Sequence, residues 1–158
     1  MADYETFDLG PLTLQRGLTL PKAHLAYKTY GRLAPDKWNL ILYPTSYAAH
    51  HTDIDWLIGP GRVLDPERYF IVIPNQLGNG LSTSPSNLSE PFGLGRNPVF
   101  THWDNVHAQE RLLREVFGVA LVPEVAIGEV HDSVTMPVDQ LGERVLVAPF
   151  EGEHQLHV

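Results

Sequence analysis

The sequence predicts an α/β fold, with an N-terminal hairpin followed by a mostly parallel sheet with flanking helices. Three observations carry this reading. Leu40-Ile41-Leu42-Tyr43 and Tyr69-Phe70-Ile71-Val72-Ile73 are uninterrupted apolar runs, the habit of strands covered on both faces by helices. Residues 104–117 have helical periodicity. A further apolar run, 119–127, follows that helix, so strand, helix and strand succeed one another as in a right-handed βαβ unit.

Taken in order, Phe7-Asp8-Leu9 and Leu12-Thr13-Leu14 alternate and are separated by Gly10-Pro11, a turn signal, which reads as a hairpin. A further strand covers 23–30, where His24, Ala26 and Lys28 alternate with Leu25, Tyr27 and Thr29 until Gly31 stops it. Pro35-Asp36 marks a loop. Asp53-Ile54-Asp55-Trp56-Leu57-Ile58 reads as a short helix ended by Gly59-Pro60-Gly61. Residues 74–97 are polar and rich in Gly, Ser, Asn and Pro; a loop that long is usually functional or disordered. In the helix, Val106, Leu112, Leu113, Val116 and Phe117 form the apolar stripe, with Glu110, Arg111 and Arg114 on other faces. Thr101 or Asp104 caps its start and Gly118 its end.

A chain of 158 residues with 43% apolar content fits one domain with a sizeable core. The absence of cysteine excludes disulfides and thiolate chemistry and fits a cytoplasmic protein. Met1-Ala2-Asp3-Tyr4-Glu5 has no secretory character, and no apolar run approaches the roughly 18 residues of a membrane span. A formal net charge of −8 argues against nucleic acid or an anionic membrane as partner. The oligomeric state stays open.

Eight histidines raise the question of a metal. His50-His51-Thr52-Asp53-Ile54-Asp55 and the pair His154 and His157 have no recognised ligand spacing, so the first reads as a solvated loop and no metal is expected. Asn79-Gly80-Leu81-Ser82 fits neither a Walker A loop nor a dinucleotide fingerprint, and no bound cofactor is expected.

Several segments together resemble one family. They are Leu25-Ala26-Tyr27-Lys28-Thr29-Tyr30-Gly31, Ile58-Gly59-Pro60-Gly61 with Leu64-Asp65, and Arg68-Tyr69-Phe70-Ile71-Val72. Pro74-Asn75-Gln76-Leu77-Gly78-Asn79-Gly80, Ser82-Thr83-Ser84-Pro85-Ser86-Asn87 and a helix with Asp104, Val106, Gln109, Leu112 and Leu113 complete the set. In order and approximate spacing these are similar to the homoserine O-acetyltransferase branch of the α/β-hydrolase superfamily, over about residues 6–128. The resemblance implies the N-terminal portion of an α/β-hydrolase fold, truncated. It also implies acyl transfer through a serine ester, with acetyl-coenzyme A as donor substrate and homoserine or water as acceptor. Such a reaction needs a nucleophile, a histidine oriented by an acid, and backbone N–H groups aimed at the oxyanion.

By resemblance the oxyanion donors come from the loop after the 40–43 strand, so the backbone N–H groups of Ser46 and Tyr47 are the candidates; an ordinary loop is the competing reading. Trp56, Trp103 and Tyr47 would either line the acyl pocket or pack in the core. The nucleophile elbow, G-x-S-x-G, turns a strand into a helix and lifts a serine above the sheet. Here Val125-Ala126-Ile127-Gly128-Glu129-Val130-His131 supplies the strand and the glycine, but Val130 stands where the serine belongs. Ser133 comes three positions later, a weak substitute, and Pro137 discourages the helix that should follow.

The chain thus divides into 1–128, the N-terminal part of the hydrolase domain, and a divergent tail, 129–158. The tail reads as a foreign sequence, as an internal deletion joining the family's last strand to its first half, or as an alternative site. Under the second reading Asp132 is the acid and His154 the base. The 144–147 segment would then supply one added strand, covering the apolar edge of the 119–127 strand, Gly128 to Glu143 being long enough for a parallel crossover. The expected protein is therefore a homoserine O-acetyltransferase-like acyltransferase or hydrolase by descent, inactive alone. The alternatives are a non-catalytic interaction module and half of an enzyme completed by another chain. Its partners, if active, are a small-molecule acyl donor and acceptor.

Overall fold

A computed structural model describes residues 2–89, 91–93, 98–119 and 146–147. Five strands form one mixed sheet in the order β1-β2-β4-β3-β5. β1 (Glu5–Thr13) pairs antiparallel with β2 (Thr19–Tyr30), and β2 pairs antiparallel with β4 (Phe70–Pro74). β3 (Leu40–Leu42) lies parallel to β4, with Leu40 opposite Phe70. β5 (Leu146–Val147) lies parallel to β3 on its other side, Leu146 opposite Ile41 and Val147 opposite Leu42.

The opening hairpin differs from the sequence reading. Gly10-Pro11 is not its turn: β1 runs through it, with register irregularities on either side of Gly10. Gly10 takes φ 60°, and its N–H donates to Asp8 Oδ1 at 2.8 Å, so the glycine serves a bulge. The chain reverses over residues 14–18, where Leu14 N–H donates to Leu18 O and Gly17 N–H to Leu14 O, both at 2.8 Å. β2 consequently begins four residues earlier than position 23.

The apolar runs are unalternating because both sheet faces are covered. Phe70 and Val72 of β4, with Leu40 and Leu42 of β3, face a core that includes Leu12, Leu25, Ala108, Leu112 and Leu113. Ile71 and Ile73 point the other way, into a smaller cluster with Ile54 and Leu64. The covering element on that second face is a 3₁₀ helix, His51–Leu57, at the place where the sequence predicts a short helix.

Helix α1 (His102–Glu115) covers the first face. Thr101 and Asp104 form a reciprocal cap, Thr101 N–H donating to Asp104 Oδ2 at 2.8 Å and Asp104 N–H to Thr101 Oγ1 at 3.3 Å. Beyond the helix, Gly118 takes φ 62° and the Val119 N–H reaches Leu113 O at 2.9 Å. The buried stripe is Asp104, Asn105, Ala108, Gln109, Leu112 and Leu113. Val106 and Val116, expected in it, are 57% and 43% exposed. The remainder of the apolar run 119–127 lies outside the described residues, as does the sequence around the expected elbow.

Candidate active site

In open α/β sheets the crevice beyond the carboxyl ends of the parallel strands is where ligands bind. Among the described residues that edge is built by two loops, one after β3 and one after β4. The β3–β4 pairing continues past Leu42: Tyr43 N–H donates to Val72 O at 2.9 Å, and Thr45 N–H to Pro74 O at 3.1 Å. The main chain then leaves the sheet. Ser46, Tyr47 and Ala48 are exposed, Ala48 takes the left-handed φ of 59°, and Ala49 N–H closes the turn on Ser46 O at 3.1 Å. Among the described residues, neither the Ser46 nor the Tyr47 N–H has a hydrogen-bond acceptor.

The second loop holds the first at both ends. Gln76 N–H donates to Thr45 Oγ1 (3.2 Å) and Gln76 Nε2 to the Thr45 carbonyl (2.6 Å). At the far end, Asn79 Nδ2 donates to Ala49 O (3.0 Å), and His50 Nε2 lies 3.1 Å from Asn79 O. His51 N–H donates to Asn75 Oδ1 at 3.0 Å. His51 Nδ1 lies 3.2 Å from Asn75 Nδ2 and 3.4 Å from its Oδ1, and His51 Nε2 lies 3.2 Å from Asp3 Oδ1. The Asp3 carboxyl is held below its ordinary value chiefly by this imidazole hydrogen bond.

The second loop is in turn anchored to β2 and α1. Asn75 N–H donates to Ala26 O (2.8 Å); Ser82 Oγ accepts from Ala26 N–H (2.9 Å) and donates to Asn75 O (2.7 Å). His24 N–H donates to Thr83 Oγ1 (2.7 Å), and Leu77 N–H to Asn105 Oδ1 (2.7 Å). Asn75, Ser82, Thr83 and Ser84 are buried. The polar stretch after β4 is therefore fixed by its own short side chains over the described residues 75–89. Among the described residues each buried polar side-chain atom has its partner, as burial requires.

Of the residues singled out from sequence, Ser46 and Tyr47 stand together at the end of β3. Val130, Asp132, Ser133 and His154 lie outside the described residues. The His50-His51 segment is no solvated loop: His51 is 2% exposed and locked to Asn75. Trp56, Trp103 and Tyr47 do not pack in the core; they are 70%, 57% and 93% exposed. Among the described residues, no group of three or more His, Asp or Glu gathers to hold a metal ion, and no helix is long and apolar enough to cross a membrane. Sequence reading missed Thr45, Asn75 and Gln76 as the parts that set this edge. The available signal was the density of Asn, Ser and Thr after an apolar strand.

No protein-family model matches the chain. The chain is 44% identical to a probable esterase of Corynebacterium glutamicum over 73% of its own length and 34% of the relative's. A homoserine O-acetyltransferase of Thermobifida fusca is 40% identical over 69% of the chain and 33% of that protein. The N-terminal part of this chain belongs to the homoserine O-acetyltransferase-like branch of the α/β-hydrolases. The structure of an acetylester hydrolase from Corynebacterium glutamicum superimposes with a TM-score of 0.70 at 43% identity, covering 73% of this chain and 34% of that one. The chain thus spans about a third of the length of these relatives.

Proposed function

We propose that this chain carries the carbonyl-polarising side of an acyl-transfer site and, by itself, turns over little or no substrate. The observation that supports it most is that Ser46 and Tyr47, both exposed beyond the carboxyl end of β3, have N–H groups with no acceptor among the described residues. Preorganised donors of this kind stabilise the oxyanion of a tetrahedral intermediate, and losing one costs about 10²–10³ in rate. The attacking group is what the chain lacks, since Gly128 is followed two positions later by Val130.

Asp132 as the acid and His154 as the base belong to the same reading. His154 follows Val147 by seven residues, about 25 Å of extended chain at most. β5 runs parallel to β3, so its carboxyl end lies at the edge that bears Ser46. Residues 1–128 then make up the hydrolase part and 129–158 a separate tail adding one strand. The substrates are a small-molecule acyl donor and acceptor, with no bound cofactor, nucleic acid or membrane, in the cytoplasm. Likeness to an esterase at 44% identity favours a simple ester; acetyl-coenzyme A is the donor on the transferase reading.

A second reading draws on the share of the relatives that is spanned, about a third: the chain is one half of an enzyme completed by another polypeptide. Assays of p-nitrophenyl acetate hydrolysis, and of acetyl transfer from acetyl-coenzyme A to homoserine, separate these. The expected result for the chain alone is the buffer rate. Turnover by the purified chain that disappears in Ser133→Ala overturns the proposal, and turnover only on co-expression with a fragment carrying a serine elbow supports the second reading.

A further inference from the structure

We propose that Gln76 is a positioning residue for the oxyanion donors: it fixes the peptide between Thr45 and Ser46 so that the Ser46 N–H faces outward from the sheet edge. The inference deepens the reading of Ser46 and Tyr47 given above and rests on it. The Thr45 carbonyl and the Ser46 N–H belong to one planar trans peptide, so they point in opposite directions. Gln76 Nε2 holds that carbonyl at 2.6 Å, which fixes the direction of the N–H on the other side.

Thr45 offers no freedom to compensate. Its side chain is buried, its Oγ1 accepts from Gln76 N–H at 3.2 Å, and its own N–H is committed to Pro74 O at 3.1 Å. Beyond Ser46 the turn is exposed, so the only side-chain restraint on this peptide from the described β4 loop is the glutamine amide. A hydrogen bond to a carbonyl also polarises its amide, strengthening the N–H as a donor. Glutamine suits this position because its primary amide donates at every pH. A glutamate of the same shape is acceptor-only near neutrality and would face the Thr45 carbonyl with negative charge.

The test is nuclear magnetic resonance of the full isotope-labelled chain at pH 7, as the parent and as Gln76→Leu, Gln76→Glu and Gln76→Lys. Leucine and glutamate are expected to move the Thr45 carbonyl and Ser46 amide resonances and to lower the order parameter at Ser46. Lysine, which keeps a donor, is expected to restore them toward the parent. A general packing defect would not follow donor capacity in this way. Methylphosphonate, a tetrahedral oxyanion surrogate, is then titrated. The parent's Ser46 amide is expected to shift and saturate, with Gln76→Glu binding at least about tenfold more weakly. If the Ser46 and Thr45 resonances are unmoved in all variants, the role of Gln76 is overturned whatever the anion does. If they follow donor capacity but methylphosphonate leaves the parent's Ser46 and Tyr47 amides unmoved, the clamp is upheld and the oxyanion reading falls.

Discussion

The Gln15 N–H donates to Asp104 Oδ1 at 2.7 Å, joining the β1–β2 turn to the first turn of α1. The other carboxylate oxygen accepts from the Thr101 N–H and from Thr101 Oγ1, each at 2.8 Å. One buried carboxylate therefore caps a helix and closes a hairpin at the same time. Asp104→Ala removes one arm of the capping box and the acceptor of the Gln15 N–H, while Thr101 Oγ1 can still accept from the residue-104 N–H, for an expected loss of about 1–2 kcal/mol. Val106→Ala on the exposed face should stay within about 0.5 kcal/mol. Urea denaturation checks both, and equal losses would contradict the double role of Asp104.

Two glycines in left-handed backbone separate conformational cost from collision. Gly17 takes φ +85° with nothing within 4 Å of a Cβ built there. Gly31 takes φ +79°, and a Cβ would lie 2.1 Å from Tyr69 O and 2.6 Å from Pro66 O. Gly17→Ala is expected to cost about 1 kcal/mol. Gly31→Ala must also displace backbone where β2 ends, and at least about 3 kcal/mol is expected. Thermal melts of the two variants measure the difference; similar midpoints would refute the close approach.

Asp65 Oδ2 accepts from the Gly61 N–H and Oδ1 from the Glu67 N–H, both at 2.9 Å. These two amides, more than the nearby Arg68, hold its carboxyl below the ordinary aspartate value. Since the folded value lies below the unfolded one, the unfolded chain binds the proton more readily. The stabilising contribution is present above the unfolded value and is lost as pH falls through the folded one. Carbon-13 titration should place the Asp65 midpoint below that of an unstructured aspartate. A midpoint at or above it contradicts the turn geometry.

The runs at β3 and β4 were legible because burial on both faces leaves no polar alternation to confuse with a helix. The hairpin turn was misplaced because Gly10-Pro11 is equally good chemistry for a bulge. What decides is pairing beyond it, Leu12 with Leu20 and Thr13 with Thr19, which local sequence does not contain. The buried face of α1 was misjudged for a related reason. Asp104 and Asn105 are buried because the Gln15 and Leu77 N–H groups meet them, and hydropathy assigns such side chains to solvent. At the proposed site the sequence points to Ser46 and Tyr47 alone, and only through family resemblance. Asn75 and Gln76 act through bonds to residues some two dozen or more positions away along the chain.

On the function proposed above, the described residues carry the N-terminal portion of the fold and the carbonyl-facing edge of an acyl-transfer site, while Val130 stands where the attacking serine would be. Treating the purified chain with a fluorophosphonate and weighing it by intact-mass spectrometry tests that most directly. The unmodified mass is expected after prolonged incubation. A stoichiometric adduct mapped to Ser133, and absent after denaturation before treatment, would contradict it.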